Sequence, residues 1–399
     1  MSNNSRYAVG LDAGSQRTRC VICVVEESRI RLLGFGESAS RGWGKARLSD
    51  QAAASESIRQ AVEEAEAAAG LSIDAAVVGI GGSTVESANS RGLYEFGRPR
   101  EIDAGDLGYA VELASRVRLE DDRLLLQVVP QDFTLDGRAG YRNPRGATCS
   151  RLEANVHVIT ASTHDHQALV SAVHQAHLAV EETVFEPIAA AYACVLQEDR
   201  ARGVAVIDIG AQSTDLVVYD GEMLLRGASL PIAADHFTRD VAFVLNSSYE
   251  DAERLKREYG CAKLGLGSDS SLIEVPSAEG RPAREATRHQ LNEILEARAE
   301  ELFLYVRNEI AKVGMEQALL EGVILTGGGA LLPGMWDMAE QILGCQARSG
   351  LPLGIENWPD QLKNPTWAVA AGLAMYSGKL KMQKEWKRKV PGIMGLVLR

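Results

Sequence analysis

One short pattern occurs twice, about half the chain apart, and it limits the folds open to this sequence. Residues 7–25 read YAVGLDAGSQRTRCVICVV, and residues 204–219 read VAVIDIGAQSTDLVVY. Each copy starts with an apolar β-type run that ends on an aspartate, Asp12 or Asp208. A turn containing glycine, Gly14 or Gly210, follows with hydroxyl and amide side chains, and then a second apolar run. Strand, acidic turn, strand is a hairpin signal. Glycine permits backbone geometry that a Cβ forbids. Such a turn aims several backbone N–H groups into one concavity, which suits phosphate oxygens. A carboxylate at the strand end suits magnesium, directly or through its waters. One such hairpin is common in β-rich proteins and carries little. Two matched copies are an internal repeat, and facing each other they would clamp a polyphosphate from both sides.

Length and charge narrow the possibilities. At 399 residues the chain is expected to form two or more domains. A net charge of −12 argues against nucleic-acid binding, which needs a basic footprint. It also confines any contact with an anionic membrane to a local segment. Of six cysteines, only Cys20 and Cys23 form a C-x-x-C, inside a strand-like run. An offset of three puts them on opposite faces of a strand, so buried reduced thiols are expected, in keeping with a reducing compartment. The first residues show no signal-peptide pattern. No apolar run approaches the ~20 residues of a spanning helix.

Helices and strands alternate along the chain, which implies an α/β sheet. Ser49 and Asp50 can cap a helix over 51–69 that stops at Gly70, and residues 75–80 read as a buried strand. Texture changes over 85–162, which reads as a helix-plus-strands insertion. There Asp103 and Asp106 cap a helix to about 117, a strand over 123–129 closes at Pro130, turn signals fill 133–146, and another strand covers 152–160. A helix over 165–178 carries histidines best explained as a solvated face, a short strand follows over 180–184, and Pro187 suits a helix's first turn. In the second half Asp235 and Ser248 cap two helices. Thr287 with Gln290 forms a capping box for a long one, whose apolar stripe reads as core. GVILTGGGALLP, residues 322–333, is a strand running into three glycines, Gly327, Gly328 and Gly329, and then a helix. It is neither a P-loop nor G-x-G-x-x-G; flat glycine backbone there suits close approach of a base and sugar. Pro365 starts an apolar helix, TWAVAAGLAMY.

The end of the chain differs from the rest. Residues 378–399 hold seven basic residues against one acid, a net of +6 on a chain of −12. Trp386, Lys387, Arg388 and Lys389 are followed by Ile393, Met394, Leu396, Val397 and Leu398. A basic stretch with tryptophan and then an apolar end is what an interfacial anchor to an anionic membrane needs. One copy is expected to bind weakly, and many copies in a polymer strongly.

The repeat, the triple glycine and the insertion together resemble the actin-like ATPase superfamily. In finer detail the chain is similar to the FtsA family of bacterial cell-division proteins. VVPQDFTLDGRAGYRNPRG, RLEANVHVITAS, EPIAAAYACVL, AERLKREYG, EGVILTGGGALLPGM and NPTWAVAAGLAMY carry that likeness, in that order, over nearly the whole chain. The resemblance implies an α/β, actin-like (ribonuclease H-like) duplicated ATPase core with a small inserted α+β subdomain. Subdomain IA would comprise 1–84 and 163–202 with part of 365–380, IC 85–162, IIA 203–234 and 313–364, and IIB 235–312, with a tail over 381–399. It implies ATP and Mg2+ in the cleft. Asp12, Gly14, Ser15, Gln16 and Arg17 would form one phosphate loop, and Asp208, Gly210, Ala211, Gln212, Ser213 and Thr214 the other. Asp12 and Asp208 would serve the metal. Glu253 and Lys256 would reach the ribose and base, Gly327 to Gly329 would line the adenosine, and Glu186 would orient the attacking water, with Asp208 beside it.

By the same resemblance the protein is expected to polymerise on the cytoplasmic membrane face at the division site. It would bind the C-terminal tail of FtsZ through IIB and recruit later division proteins through IC, with slow or absent hydrolysis. A pilus-assembly platform of the PilM type and a small-molecule phosphotransferase are the alternatives in the same superfold. The chain departs from the family's D-I-G-G-G-T-T-D loop at Ala211 and Gln212, and from its usual glycine pair at Ala233 and Ala234. Its tail lacks the family's long linker. Gln212 puts a long side chain where backbone should approach phosphate, which bears on turnover more than on the fold.

Overall fold

The computed structural model describes residues 6–26, 29–266, 270–276 and 283–389. β1 (Tyr7–Ala13) and β2 (Arg17–Glu26) pair across the first acidic turn, and β3 (Arg29–Ala39) extends them into a meander. Cys20 and Cys23 are buried in separate cores on the two faces of β2. A short ribbon, β4 (Trp43–Gly44) with β5 (Arg47–Leu48), leads to α1 (Gln51–Ala69). Asp50 accepts the Ala52 and Ala53 N–H groups, and Gly70 ends α1 in the left-handed region. β6 (Ala75–Ile80) then returns parallel to β1.

The insertion holds β7 (Glu86–Glu101), α2 (Ala104–Ser115), β8 (Arg123–Leu135), β9 (Arg138–Tyr141) and β10 (Thr148–Ser162), in the sheet order β7-β10-β8-β9. Asp103 and Asp106 cap α2 reciprocally. One expectation fails here. Pro130 does not end its strand: β8 runs on to Leu135, because Pro130 falls at a register shift against Val156, where a missing N–H is tolerated. The turn-rich stretch 133–146 holds the end of β8, a tight turn at Asp136–Gly137, β9, and a second turn leading to Gly146. β7 is long but mostly polar and exposed, so it shows little apolar alternation.

The chain rejoins the first sheet through α3 (Thr163–Gln175) and β11 (Ala179–Phe185). α4 (Glu186–Cys194) and the short α5 (Gln197–Ala201) lead into the second half. There β12 (Val204–Ile209), β13 (Thr214–Asp220) and β14 (Met223–Leu230) repeat the meander. α6 (Ala234–Val244), α7 (Tyr249–Tyr259), β15 (Leu272–Val275), β16 (Arg284–Thr287) and α8 (Arg288–Ala311) form a side layer. β17 (Val323–Thr326), α9 (Met335–Leu343), β18 (Ala347–Ser349) and α10 (Ala368–Lys389) complete the fold. The Thr287–Gln290 capping box is present, and the α8 stripe of Leu291, Leu295, Leu302, Val306 and Ile310 is core. Asp235 is not the cap of α6. It sits in the first turn, because the leading N–H groups of that helix, from Ala234 and Asp235, donate instead to Gly210 and Ala211 carbonyls at 3.1 and 2.8 Å.

The two large sheets have one topology, β3-β2-β1-β6-β11 and β14-β13-β12-β17-β18. Between them α4 and α10 cross. Both are rich in alanine because they lie backbone to backbone: a Cβ on Gly372 would sit 1.7 Å from the Ala189 carbonyl oxygen. The insertion docks on β14, the edge of the second sheet. Ser87 Oγ donates to the Gly227 carbonyl at 2.5 Å, the Gly227 N–H donates to His157 Nε2 at 3.1 Å, and Gln131 donates to the Leu224 carbonyl at 2.7 Å. That sheet edge is thereby covered.

Candidate functional site

The two acidic turns have the same local geometry. A Cβ on Gly14 would lie 2.9 Å from the Arg17 carbonyl oxygen, and one on Gly210 would lie 3.0 Å from that of Ser213. Each glycine thus permits a turn closing on the residue three further on. Both turns stand at the ends of their sheets' central strands and border one cleft between the halves. Its inner part, about 60 Å³, is lined by Gly14, Ser15, Gly81, Glu186, Gln212 and Ser213. Its outer part, about 820 Å³, is lined by Gln16, Arg17, Ala211, Glu253, Lys256, Gly328 and Gly329 among others. The outer volume suits a ligand of nucleotide size.

Four carboxylates gather behind the inner cavity, and of these Glu186 alone lines it. Asp12 and Asp208 are each 7% exposed and Asp215 1%. Glu186 starts α4, beneath Gly81, where any Cβ would lie 2.3 Å from Glu186 Oε2 and 2.8 Å from Asp215 Oδ2. Burial pushes Asp12 up to about 6, with the Arg19 guanidinium opposing the rise. Burial pushes Asp208 up to about 7, opposed by the hydroxyl of Thr326, which donates to Asp208 Oδ1 at 2.9 Å. Burial also raises Asp215, against hydrogen bonds from the Gly82 N–H and the Ser213 hydroxyl. Glu186 is raised well above the ordinary carboxylate range, first by desolvation and then by Asp12, Asp215 and Asp208. Crowded carboxylates that resist ionising are what a divalent cation relieves. Among the described residues no three or more His, Cys, Asp or Glu side chains cage a metal by themselves. Magnesium would therefore share Asp12 and Asp208 with water and phosphate oxygens, its usual manner of binding.

The remaining candidates fall into place unequally. Gly327, with φ +79°, closes against the second turn: a Cβ would lie 2.5 Å from the Ile209 carbonyl oxygen. Thr214 is fully buried in β13 and lines neither part of the cleft. Glu253 and Lys256 face the outer groove but first satisfy each other. Lys256 Nζ lies 2.6 Å from Glu253 Oε2, and it donates to Thr238 Oγ1 at 2.7 Å. Gln212 does not fill the phosphate space with a free side chain; its Oε1 accepts the Ala46 N–H at 2.6 Å, across the cleft. Trp386, Lys387, Arg388 and Lys389 belong to the α10 helix, but their side chains lie outside the described set, and Ile393, Met394, Leu396, Val397 and Leu398 lie outside the described residues altogether.

Reasoning from sequence missed Arg19 and Asp215. Both stand directly across a hairpin from a chosen aspartate, Arg19 opposite Asp12 and Asp215 opposite Asp208. Counting register back from each turn would have found them. Arg19 also pairs with Glu37 at 2.7 Å and lies 5.4 Å from the centre of the Trp367 ring.

A family model described as "Cell division protein FtsA" matches residues 205–372, and one described as "SHS2 domain inserted in FTSA" matches residues 82–160. The cell division protein FtsA of Borreliella burgdorferi is 36% identical, over 98% of this chain and 94% of its own. That of Pseudomonas aeruginosa is 33% identical, over 94% of this chain and 89% of its own. That of Escherichia coli K12 is 30% identical, over 99% of this chain and 96% of its own. In fold the chain is similar to a structure of the PilM-PilN type IV pilus biogenesis complex, with a TM-score of 0.68 and 19% identity over 93% of this chain and 98% of that one. It is similar also to MreB5 of Spiroplasma citri bound to ADP, with a TM-score of 0.58 and 12% identity over 96% of this chain and 99% of that one.

Proposed function

Because this chain belongs to the FtsA family of cell division proteins, we propose that it is an actin-like scaffold of the division ring that binds ATP with magnesium in its cleft. The observation that carries the nucleotide reading is the meeting of both acidic turns over one set of buried carboxylates. Backbone N–H groups of the turns around Gly14 and Gly210 hold the phosphates. Asp12 and Asp208 hold the metal, which offsets phosphate charge when bound. Glu186, whose carboxyl burial and the neighbouring carboxylates raise above its ordinary range, would orient water at the inner end. The outer groove takes the adenosine against Gly328, Gly329 and the Glu253–Lys256 pair. The fold relative MreB5 of Spiroplasma citri, solved with ADP and with AMPPNP, supports a nucleotide here.

In this reading ATP sets assembly more than it drives turnover. Filaments form on the cytoplasmic membrane face, held by the basic and apolar residues 386–398. The segment 235–312 takes the FtsZ tail, and the insertion takes later division proteins. Among the described residues no helix is long and apolar enough to cross a membrane, so attachment would rest on the tail. Equilibrium ATP titration of the full chain, with and without magnesium, tests the cleft. Asp208→Ala should remove the magnesium-dependent part, about 1.5–3 kcal/mol for a charge-assisted contact. An identical titration for the variant would refute the assignment. Co-sedimentation with anionic vesicles tests the tail, and should fall on deletion of residues 389–399.

A further inference from the structure

Gln212 bridges the halves at the most strained backbone near the cleft. Its partner, Ala46, is at the tip of the β4–β5 ribbon, and both tip residues are left-handed, Lys45 with φ 52° and Ala46 with φ 59°. A two-residue turn of that hand ordinarily takes glycine, asparagine or aspartate. The ribbon's base is secure: Leu48 is buried, and the Gly42 carbonyl accepts from Ser49 and Asp50 at 2.8 and 3.0 Å. At the tip, the Gln212 carboxamide is the hydrogen-bond partner from the other half.

The donor at Ala46 settles which way that carboxamide is turned. A backbone N–H needs an acceptor, so Gln212 presents its oxygen there and keeps its two N–H donors for something else. Among the described residues those donors have no protein partner, and Gln212 lines the inner cavity beside Gly14, Ser15 and Glu186. That cavity is small against a nucleoside. Its donors and acidic floor mark the place for the last phosphoryl group of a chain entering from the outer groove.

We propose that Gln212 couples the terminal phosphoryl group of a nucleoside triphosphate to the Lys45–Ala46 ribbon. Its NH2 donates to that group while its Oε1 holds the ribbon closed over it. A triphosphate then completes the carboxamide's bonds and fixes the strained tip, and a diphosphate leaves the NH2 unpaired and the tip held by one bond alone. The coupling rests on the reading that ATP occupies the cleft.

Two variants of the full chain separate the two ends of the carboxamide. Gln212→Ala loses both bonds. Gln212→Glu keeps an acceptor for Ala46 but loses the donors and sets a negative charge against phosphate. ATP, ADP and a non-hydrolysable ATP analogue are titrated against each, and tryptic cleavage after the exposed Lys45 is timed in each state. The unsubstituted chain should be cut more slowly with the analogue than with ADP. Gln212→Ala should cut equally fast in both states. Both variants should lower the ratio of analogue to ADP affinity by about tenfold or more, the size of one hydrogen bond to a charged group. Gln212→Glu should still protect Lys45 without nucleotide. An unchanged affinity ratio in both variants overturns the coupling and leaves the cleft reading intact. A higher affinity for the analogue in Gln212→Ala overturns it too, since the side chain would then be an obstruction. An unsubstituted chain that binds none of the three nucleotides overturns the cleft reading, and the coupling with it.

Discussion

The first acidic turn and the second share one backbone plan and differ in what fastens them. Around Asp12 the fastenings are local: Ser40 N–H donates to the Gln16 carbonyl at 3.1 Å, and Thr18 and Ser40 share a hydroxyl bond at 2.8 Å. Around Asp208 they come from elsewhere. The start of α6 donates to Gly210 and Ala211, Thr326 donates to Asp208, Ala46 donates to Gln212, and Gly82 donates to Asp215. The charge balance differs as well. Burial raises both aspartates; at Asp12 the Arg19 guanidinium directly opposite is the first to oppose the rise, and at Asp208 the Thr326 hydroxyl is first, with the more weakly acting Arg19 last. Duplication supplied the shape twice, and the second copy alone became the junction between the ribbon, the triple glycine and the side layer.

The largest test of that contrast lies two residues before each aspartate. Gly10 stands where the second copy has the fully buried Val206. A Cβ on Gly10 would lie 2.4 Å from both the Ala370 carbonyl oxygen and the Ala374 nitrogen of α10. Gly10→Val should therefore cost about 3 kcal/mol or more in stability through overpacking, read by denaturant unfolding. A change under about 1 kcal/mol would mean that α10 is not pressed on β1 as described.

Next in size is the difference in titration. Carboxylates with raised folded-state pKa keep protons that the unfolded chain releases. The stability they lend is full below about pH 4 and fades as pH rises to about 7. Magnesium needs the ionised forms, so the stabilisation by magnesium and ATP should grow from about pH 5 to about pH 8. Arg19→Gln removes the cation beside Asp12 and should move the midpoint of that growth upward, by about one unit. Thermal unfolding with and without magnesium and ATP follows both. A midpoint that stays put would show that Arg19 does not set the difference between the turns.

How much of this was legible in the sequence depends on whether the cause was local. Asp50 and Gly70 around α1, and Thr287 with Gln290 before α8, were readable because caps and boxes are written in adjacent residues. The repeat announced both turns. Asp215 and Arg19 were not read, since strand register decides which residue faces a given aspartate. The run of β8 through Pro130 was missed because its tolerance depends on a register shift against β10. The bond from Ala46 to Gln212 joins residues far apart in the chain, and no local signal marks it.

The smallest effect separates the two serines. Ser213 Oγ donates to Asp215 at 3.0 Å, and Ser15 Oγ has no partner among the described residues. Ser213→Ala should lower the stability of the nucleotide-free chain by about 0.5–1.5 kcal/mol. Ser15→Ala should leave that stability alone and weaken only phosphate binding. Equal losses in nucleotide-free stability would erase the contrast.

The contact of Gly372 with Ala189 has a mechanical consequence. Two backbones so near each other cannot slide without collision, so α4 and α10 move as one piece with the first sheet. The second sheet meets that piece through α4, which packs against β12 and β13. A side chain added at Gly372 would therefore disturb the first half directly and the second half by way of α4.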